Sequence, residues 1–152
     1  MSRRTIYSLS EEETYELGIA LAGNLQGGEL LLLEGDLGLG KTVLARGIAA
    51  SLGVMPEDVN SPSFTLVQEY TGGRLPMFHV DLYRIDDAES IETLGIEDLL
   101  DGGSVVVVEW GEKLPLHLRR GATVIRFHES GEGTRQIEVL TGDEAPPPPS
   151  DA

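Results

Sequence analysis

The sequence predicts an α/β fold, and three observations carry that expectation. Two short runs, Leu30 to Leu33 and Val105 to Val108, are wholly apolar, as strands buried on both faces are. Other stretches carry apolar residues at helical spacing, notably Leu17, Leu21 and Leu25. A glycine-rich turn links the first apolar run to a helical stretch, which is the first half of a strand–helix–strand unit.

The chain has 152 residues, of which 40% are hydrophobic, enough for a core and for one domain rather than two. That domain is expected over residues 1–142. Residues 143–152, acidic and with four consecutive prolines, are expected to form a disordered tail. Eleven Lys and Arg stand against 26 Asp and Glu, a formal charge of -15. Binding along a nucleic-acid backbone needs clustered cations, so a broad tRNA or duplex footprint is disfavoured. With no cysteine there is no disulfide framework, thiolate metal site or Cys nucleophile. No apolar run approaches the roughly 20 residues that span a bilayer, and no targeting segment is evident at Met1 to Ser10. A cytoplasmic protein without membrane contact is the expectation.

The elements follow in order. Ser10 with Glu13 forms a capping box that opens a helix over about residues 11–26, ended by Gly27-Gly28. Glu29 to Glu34 reads as a strand, and Lys41 to Leu52 as a helix ended by Gly53. Asn60 to Ser63 reads as a loop. Phe64 to Tyr70 and Leu75 to Leu82 alternate with period two around Gly72-Gly73, an antiparallel hairpin. Asp86 or Asp87 caps a short helix through Leu94. Ser104 to Glu109 is a second buried strand, and Thr123 to Phe127 with Gln136 to Leu140 forms a final strand pair.

Residues Gly35-Asp36-Leu37-Gly38-Leu39-Gly40-Lys41-Thr42 match G-x-x-x-x-G-K-[ST] in full, with Val43 next. Glycines let successive backbone N–H groups turn inward around phosphate oxygens, and the following helix aims its positive end at the same anion. Lys41 supplies a charge for the β- and γ-phosphates, and Thr42 a hydroxyl for Mg²⁺. Such a site needs an acidic partner at the end of a neighbouring apolar strand, and Glu109 holds that position, favouring metal coordination through water. Trp110, the only tryptophan, reads as core or rim packing.

On a strand, His79, Asp81 and Tyr83 share one face, opposite Phe78, Val80 and Leu82. Asp81 suits assistance to Mg²⁺ or orientation of an attacking water, while an exposed sheet face is the plainer reading of the stripe. His79 alone reads as structural. Ser61-Pro62-Ser63-Phe64-Thr65 occupies the place of a switch segment that senses a γ-phosphate, or is a simple turn. Arg84, Arg119, Arg120 and Arg135 are the candidates for transition-state charge, and spacing does not choose among them.

Four motifs together resemble the bacterial TsaE (YjeE) ATPase family, which is required for threonylcarbamoyladenosine formation on tRNA. They are Gly35 to Thr42, Ser61 to Thr65, His79-Val80-Asp81-Leu82-Tyr83-Arg84 and Glu109-Trp110. The likeness covers about Ser8 to Leu140. Leu39, Val43 and Ser63 stand where Ala, Thr and Thr are usual. The resemblance implies a three-layer P-loop NTPase-like fold with a mixed, partly antiparallel central sheet. It implies Mg²⁺-dependent ATP binding and slow hydrolysis. It implies a TsaD-type threonylcarbamoyl-transferase subunit and a TsaB-type subunit as partners, with tRNA reached only indirectly. It marks Thr42 and Glu109 as metal ligands, Lys41 as the phosphate lysine, Asp81 as important for activity and Ser61 to Thr65 as the switch. Ser10 and Glu11, at the first helix, are implied near the nucleotide.

Three other functions compete with this reading. A GTPase needs an Asn-Lys-x-Asp guanine reader, and neither Asn24 nor Asn60 precedes a lysine. A small-molecule kinase has Arg119-Arg120 as lid candidates but no marked acceptor pocket. A nucleotide-gated adaptor that scarcely hydrolyses ATP differs from the favoured reading only in turnover.

Overall fold

The computed structural model describes residues 2–36, 38–55, 67–131 and 133–142. The expected loop at Asn60 to Ser63, the switch segment at Ser61 to Thr65 and the acidic tail lie outside the described residues. Seven strands form one sheet: β1 (Ser2–Ser8), β2 (Leu30–Glu34), β3 (Val67–Tyr70), β4 (Met77–Asp81), β5 (Val105–Glu109), β6 (Thr123–Glu129) and β7 (Arg135–Thr141). Their order is β1-β7-β6-β2-β5-β4-β3. The central strands β6, β2, β5 and β4 run parallel, and antiparallel pairing at both ends adds β7, β1 and β3. The sheet is thus mixed, as expected.

Every residue of β2 and of β5 is buried, which is why both read as continuous apolar runs. Alternation divides their side chains between two cores. Leu31, Leu33, Val105 and Val107 pack with helices α1 (Glu11–Ala22) and α2 (Lys41–Ser51) on one face. Leu30, Leu32, Val106 and Val108 pack on the other face with Ile91 of α3 (Ala88–Thr93) and Ile96 of α4 (Ile96–Asp101). The result is the expected three-layer α/β architecture.

Local signals explain the boundaries. Ser10 Oγ accepts from Glu13 N–H at 3.1 Å, and Glu13 Oε1 accepts from Leu9 N–H at 3.0 Å, so the capping box closes one residue further out than the standard pattern. Helix α1 stops at Ala22, four residues short of the expected end, with Gly23 as its cap. Arg74, from the β3–β4 turn, donates to Ala22 O at 3.0 Å and Leu25 O at 2.8 Å, satisfying carbonyls that a longer helix would have used. Asp87, rather than Asp86, caps α3 by accepting from Ser90 N–H. The antiparallel hairpin forms as β3 and β4, and residues 64–66 of its first expected strand lie outside the described residues.

Two elements escaped the sequence reading. Strand β1 is exposed along most of its length and has no apolar run, yet it pairs with β7 from Ser2 to Ser8. Helix α4 has only six residues, too few for a 3.6-residue period to register.

Candidate functional site

The P-loop lies between β2 and α2. Gly40 precedes α2 with φ 106°, a left-handed backbone that disfavours any side chain, and it lets the turn deliver Lys41 and Thr42 straight into the first helical turn. Parallel pairing of β2 with β5 sets Leu33 opposite Glu109, so the carboxylate emerges beside the loop. Thr42 Oγ1 donates to Glu109 at 3.0 Å from Oε1 and 3.3 Å from Oε2. These two residues, singled out 67 positions apart, are in direct contact.

His79 is fully buried on β4, and its Nε2 lies 2.5 Å from Glu109 Oε2. A carboxylate only accepts, so Nε2 carries the proton, and Nδ1 has no hydrogen-bond partner among the described residues. His79 is thus not on an exposed face; its ring is buried and holds the Glu109 carboxylate, as the structural reading of His79 expects. Asp81, in register with Glu109, is half-buried and accepts from Tyr83 N–H at 3.0 Å. Burial pushes its carboxyl above the ordinary range, and the neighbouring charge of Glu109 adds to the effect. Tyr83 lies beyond the strand and is exposed, so it does not continue the His79–Asp81 face. Its ring packs against Trp110 at 5.2 Å between centroids.

Lys41 is almost fully buried. Its Nζ donates to Gly35 O at 2.6 Å and lies 3.6 Å from the centre of the Trp110 ring. Trp110 takes a left-handed backbone, φ 60°, the only positive φ at a described non-glycine residue. The indole packs against the apolar cluster of β2 and β5, as the core or rim reading expects, and also covers the Lys41 ammonium. Burial lowers the Lys41 pKa, while the carboxylates of Glu112, Glu109, Asp81 and Asp36 oppose that shift. Glu112 is absent from the sequence reading, because one acidic residue in a short turn carries no periodic or motif signal.

A cavity of about 290 Å³ opens between the P-loop and the ends of β4 and β5. Gly38, Gly40, Lys41, Thr42 and Val43 form one wall, and Asp81, Tyr83, Glu109 and Trp110 the other, with Glu11 at the edge. A second cavity of about 130 Å³ shares Glu11, Gly38, Gly40 and Val43, and is completed by Ser10, Thr14, Leu39, Gly133 and Arg135. Asp36 is exposed at the loop, and Leu37 lies outside the described residues.

The other arginine candidates divide. Arg119 is fully buried, with Nη2 2.7 Å from Glu34 Oε2 and Nη1 donating to Gly111 O at 2.7 Å, so it is a structural cation and not a phosphate or lid residue. Arg84 and Arg120 are exposed. Among the four, only Arg135 lines these cavities.

For Mg²⁺ the donor set is chemically apt: a hydroxyl and a carboxylate, both hard oxygen donors, beside a phosphate-sized loop. Thr42 can keep donating to Glu109 while its lone pair faces a cation. Among the described residues there is no cluster of three or more acidic or imidazole side chains fit for a metal.

Residues 8–137 match the family model described as threonylcarbamoyl adenosine biosynthesis protein TsaE. A protein of Nostoc sp. named tRNA threonylcarbamoyladenosine biosynthesis protein TsaE is 39% identical over 138 residues, spanning 88% of this chain and 83% of the relative. The protein of the same name from Bacillus subtilis is 37% identical over 130 residues, covering 86% and 80%. The crystal structure of Bacillus subtilis YdiB superposes with a TM-score of 0.73 at 30% identity, covering 92% of this chain and 86% of that one.

Proposed function

The chain belongs to the TsaE family, and we propose that it is a Mg²⁺-dependent P-loop ATPase that supports threonylcarbamoyladenosine formation on tRNA. The observation that carries this reading is the contact of Thr42 with Glu109 at the mouth of the P-loop cavity. The names of its relatives supply the pathway. Residues 1–142 act as one P-loop unit in this reading, supported by a single sheet that runs from Ser2 to Thr141.

The triphosphate occupies the larger cavity, and the nucleoside extends towards Ser10, Glu11 and Arg135 in the smaller one. Backbone N–H groups between Asp36 and Val43 wrap the phosphates. Lys41 exchanges Gly35 O for the β- and γ-phosphate oxygens. Thr42 and Glu109 would hold Mg²⁺, the carboxylate through water. When bound, the ion would supply positive charge to stabilise the transferring γ-phosphoryl group. Asp81 accepts a hydrogen bond from the attacking water, whose oxygen bonds to the γ-phosphorus as the bond to the β–γ bridging oxygen breaks. ADP and phosphate result. Trp110 and Tyr83 shield the Lys41 side of the cavity from solvent.

The ATP cycle serves a complex of TsaD-type and TsaB-type subunits in the cytoplasm, and tRNA is reached only through them. A formal charge of -15 supports that division of labour, since a chain so acidic is a poor primary tRNA binder. No helix among the described residues is long and apolar enough to cross a membrane. The test is ATP turnover with and without the partner subunits, with Lys41→Ala as the blank. Partner-dependent turnover that vanishes in the blank supports the reading. Turnover indifferent to the partners overturns their role, and bound but unhydrolysed ATP in both conditions favours the nucleotide-gated adaptor.

A further inference from the structure

Lys41 and Glu112 both bond to Gly35, through the two peptide groups that flank its Cα. The carbonyl of Gly35 accepts from Lys41 Nζ at 2.6 Å, and the N–H of the same residue donates to Glu112 Oε2 at 3.2 Å. The Glu112 carboxylate therefore anchors the peptide group that precedes the Gly35 Cα, and the ammonium binds the one that follows it. Its other oxygen, Oε1, is buried and has no hydrogen-bond partner among the described residues. A buried carboxylate with an unsatisfied oxygen is costly, and folding alone gives no reason to keep it.

The turn that carries Glu112 is itself tied to the base of the P-loop. Arg119, paired with Glu34 at the end of β2, donates to Gly111 O. The Gly111 Cα lies so close to β2 that a Cβ there would come within 2.7 Å of the Leu32 side chain. Glu112 thus projects from a rigid platform onto the first residue of the P-loop, which is the arrangement that supporting residues of functional groups adopt.

We propose that Glu112 is a positioning residue for Lys41: by holding the Gly35 N–H, its carboxylate anchors the backbone at Gly35, whose carbonyl in turn holds the Lys41 ammonium. This rests on the reading of the P-loop as an ATP site. Glu112 lines neither cavity. It acts through Gly35, and burial raises its carboxyl above the ordinary range although the Gly35 hydrogen bond and the Lys41 ammonium oppose that shift.

The test separates the hydrogen bond from the charge. Glu112→Ala removes both, while Glu112→Gln keeps an acceptor of the same shape for Gly35 N–H. ATP affinity in the presence of Mg²⁺, measured by calorimetry on the full chain, should weaken by about 10-fold or more in Glu112→Ala, as for other supporting residues. It should recover to within about three-fold of wild type in Glu112→Gln, a rescue that a merely space-filling role does not require. An Ala variant that binds ATP like wild type overturns the proposal, and so does a Gln variant as weak as the Ala variant. Should Glu112→Ala fail to fold, the Gly35 amide proton decides. Its NMR resonance should move upfield in Glu112→Gln, where a neutral acceptor replaces a charged one, and an unmoved resonance overturns the proposal. Wild-type chain that fails to bind ATP overturns the P-loop reading instead, so the two failures are distinct.

Discussion

Thr42 and Glu109 meet across 67 residues of chain, the hydroxyl donating to both carboxylate oxygens while His79 holds one of them from behind. Their adjacency follows from one fact of topology, the parallel pairing of β2 with β5. Glu109→Ala is expected to slow Mg²⁺-dependent hydrolysis by about 100-fold or more while weakening ATP binding far less, because charge at the metal matters most as the phosphoryl group leaves. Single-turnover rates alongside calorimetric affinities check this. Unchanged turnover removes Glu109 from the metal's surroundings.

Lys41→Ala is expected to abolish tight nucleotide binding. The variant loses the only side-chain cation against the phosphate wall of the larger cavity among the described residues. Trp110 offers the readout, since it is the sole tryptophan and its ring lies 3.6 Å from Lys41 Nζ. Titration of wild type with ATP should change the tryptophan emission as the ammonium leaves the ring. Titration of the variant should not.

Binding should also depend on pH through Lys41. Burial lowers its pKa below the ordinary 10.5 in the free chain, and bound phosphate favours the ammonium and raises it. Between the two values, binding takes up a proton. Affinity should therefore fall as pH rises through the free-chain value, beginning below the range of an exposed lysine. Calorimetry in buffers of different ionisation enthalpy would detect the proton taken up, and constant affinity across that range would contradict the burial argument.

Arg119→Ala is expected to destabilise the fold by about 3–5 kcal/mol, because it leaves Glu34 buried with half its pairing lost. Arg119→Lys should recover little, since one ammonium cannot serve Glu34 and Gly111 O in the directions that the guanidinium does. Urea unfolding would measure both.

Helices α1 and α2 cross in contact at Gly18 and Gly47. A Cβ on Gly47 would collide with Tyr15 O, and one on Gly18 with Leu44 O. Gly47→Ala should cost about 1–3 kcal/mol, as overpacking typically does, and should tilt α1 away from α2. Because Glu11 begins α1 and edges both cavities, ATP affinity should fall in the same variant. A variant as stable as wild type would mean that the helices separate freely.

The sequence by itself determined the α/β class, the P-loop and the paired carboxylate. Each is written in contiguous residues or in the composition of one strand: Gly40-Lys41-Thr42 needs no distant partner to be recognised, and Val105 to Glu109 announces a buried strand ending in an acid. Only the tertiary structure decided which partners His79, Glu112 and Arg119 meet. All three were ambiguous or silent in sequence, because their partners are Glu109, Gly35 and Glu34, which lie 30, 77 and 85 residues away. Strand β1 is the same case, an exposed polar segment made a strand by the open edge of β7. Periodicity and motifs report interactions within a few residues. The order of strands in the sheet sets which distant side chains share a low-dielectric space, and only there do a buried carboxylate, an imidazole and a guanidinium acquire their roles.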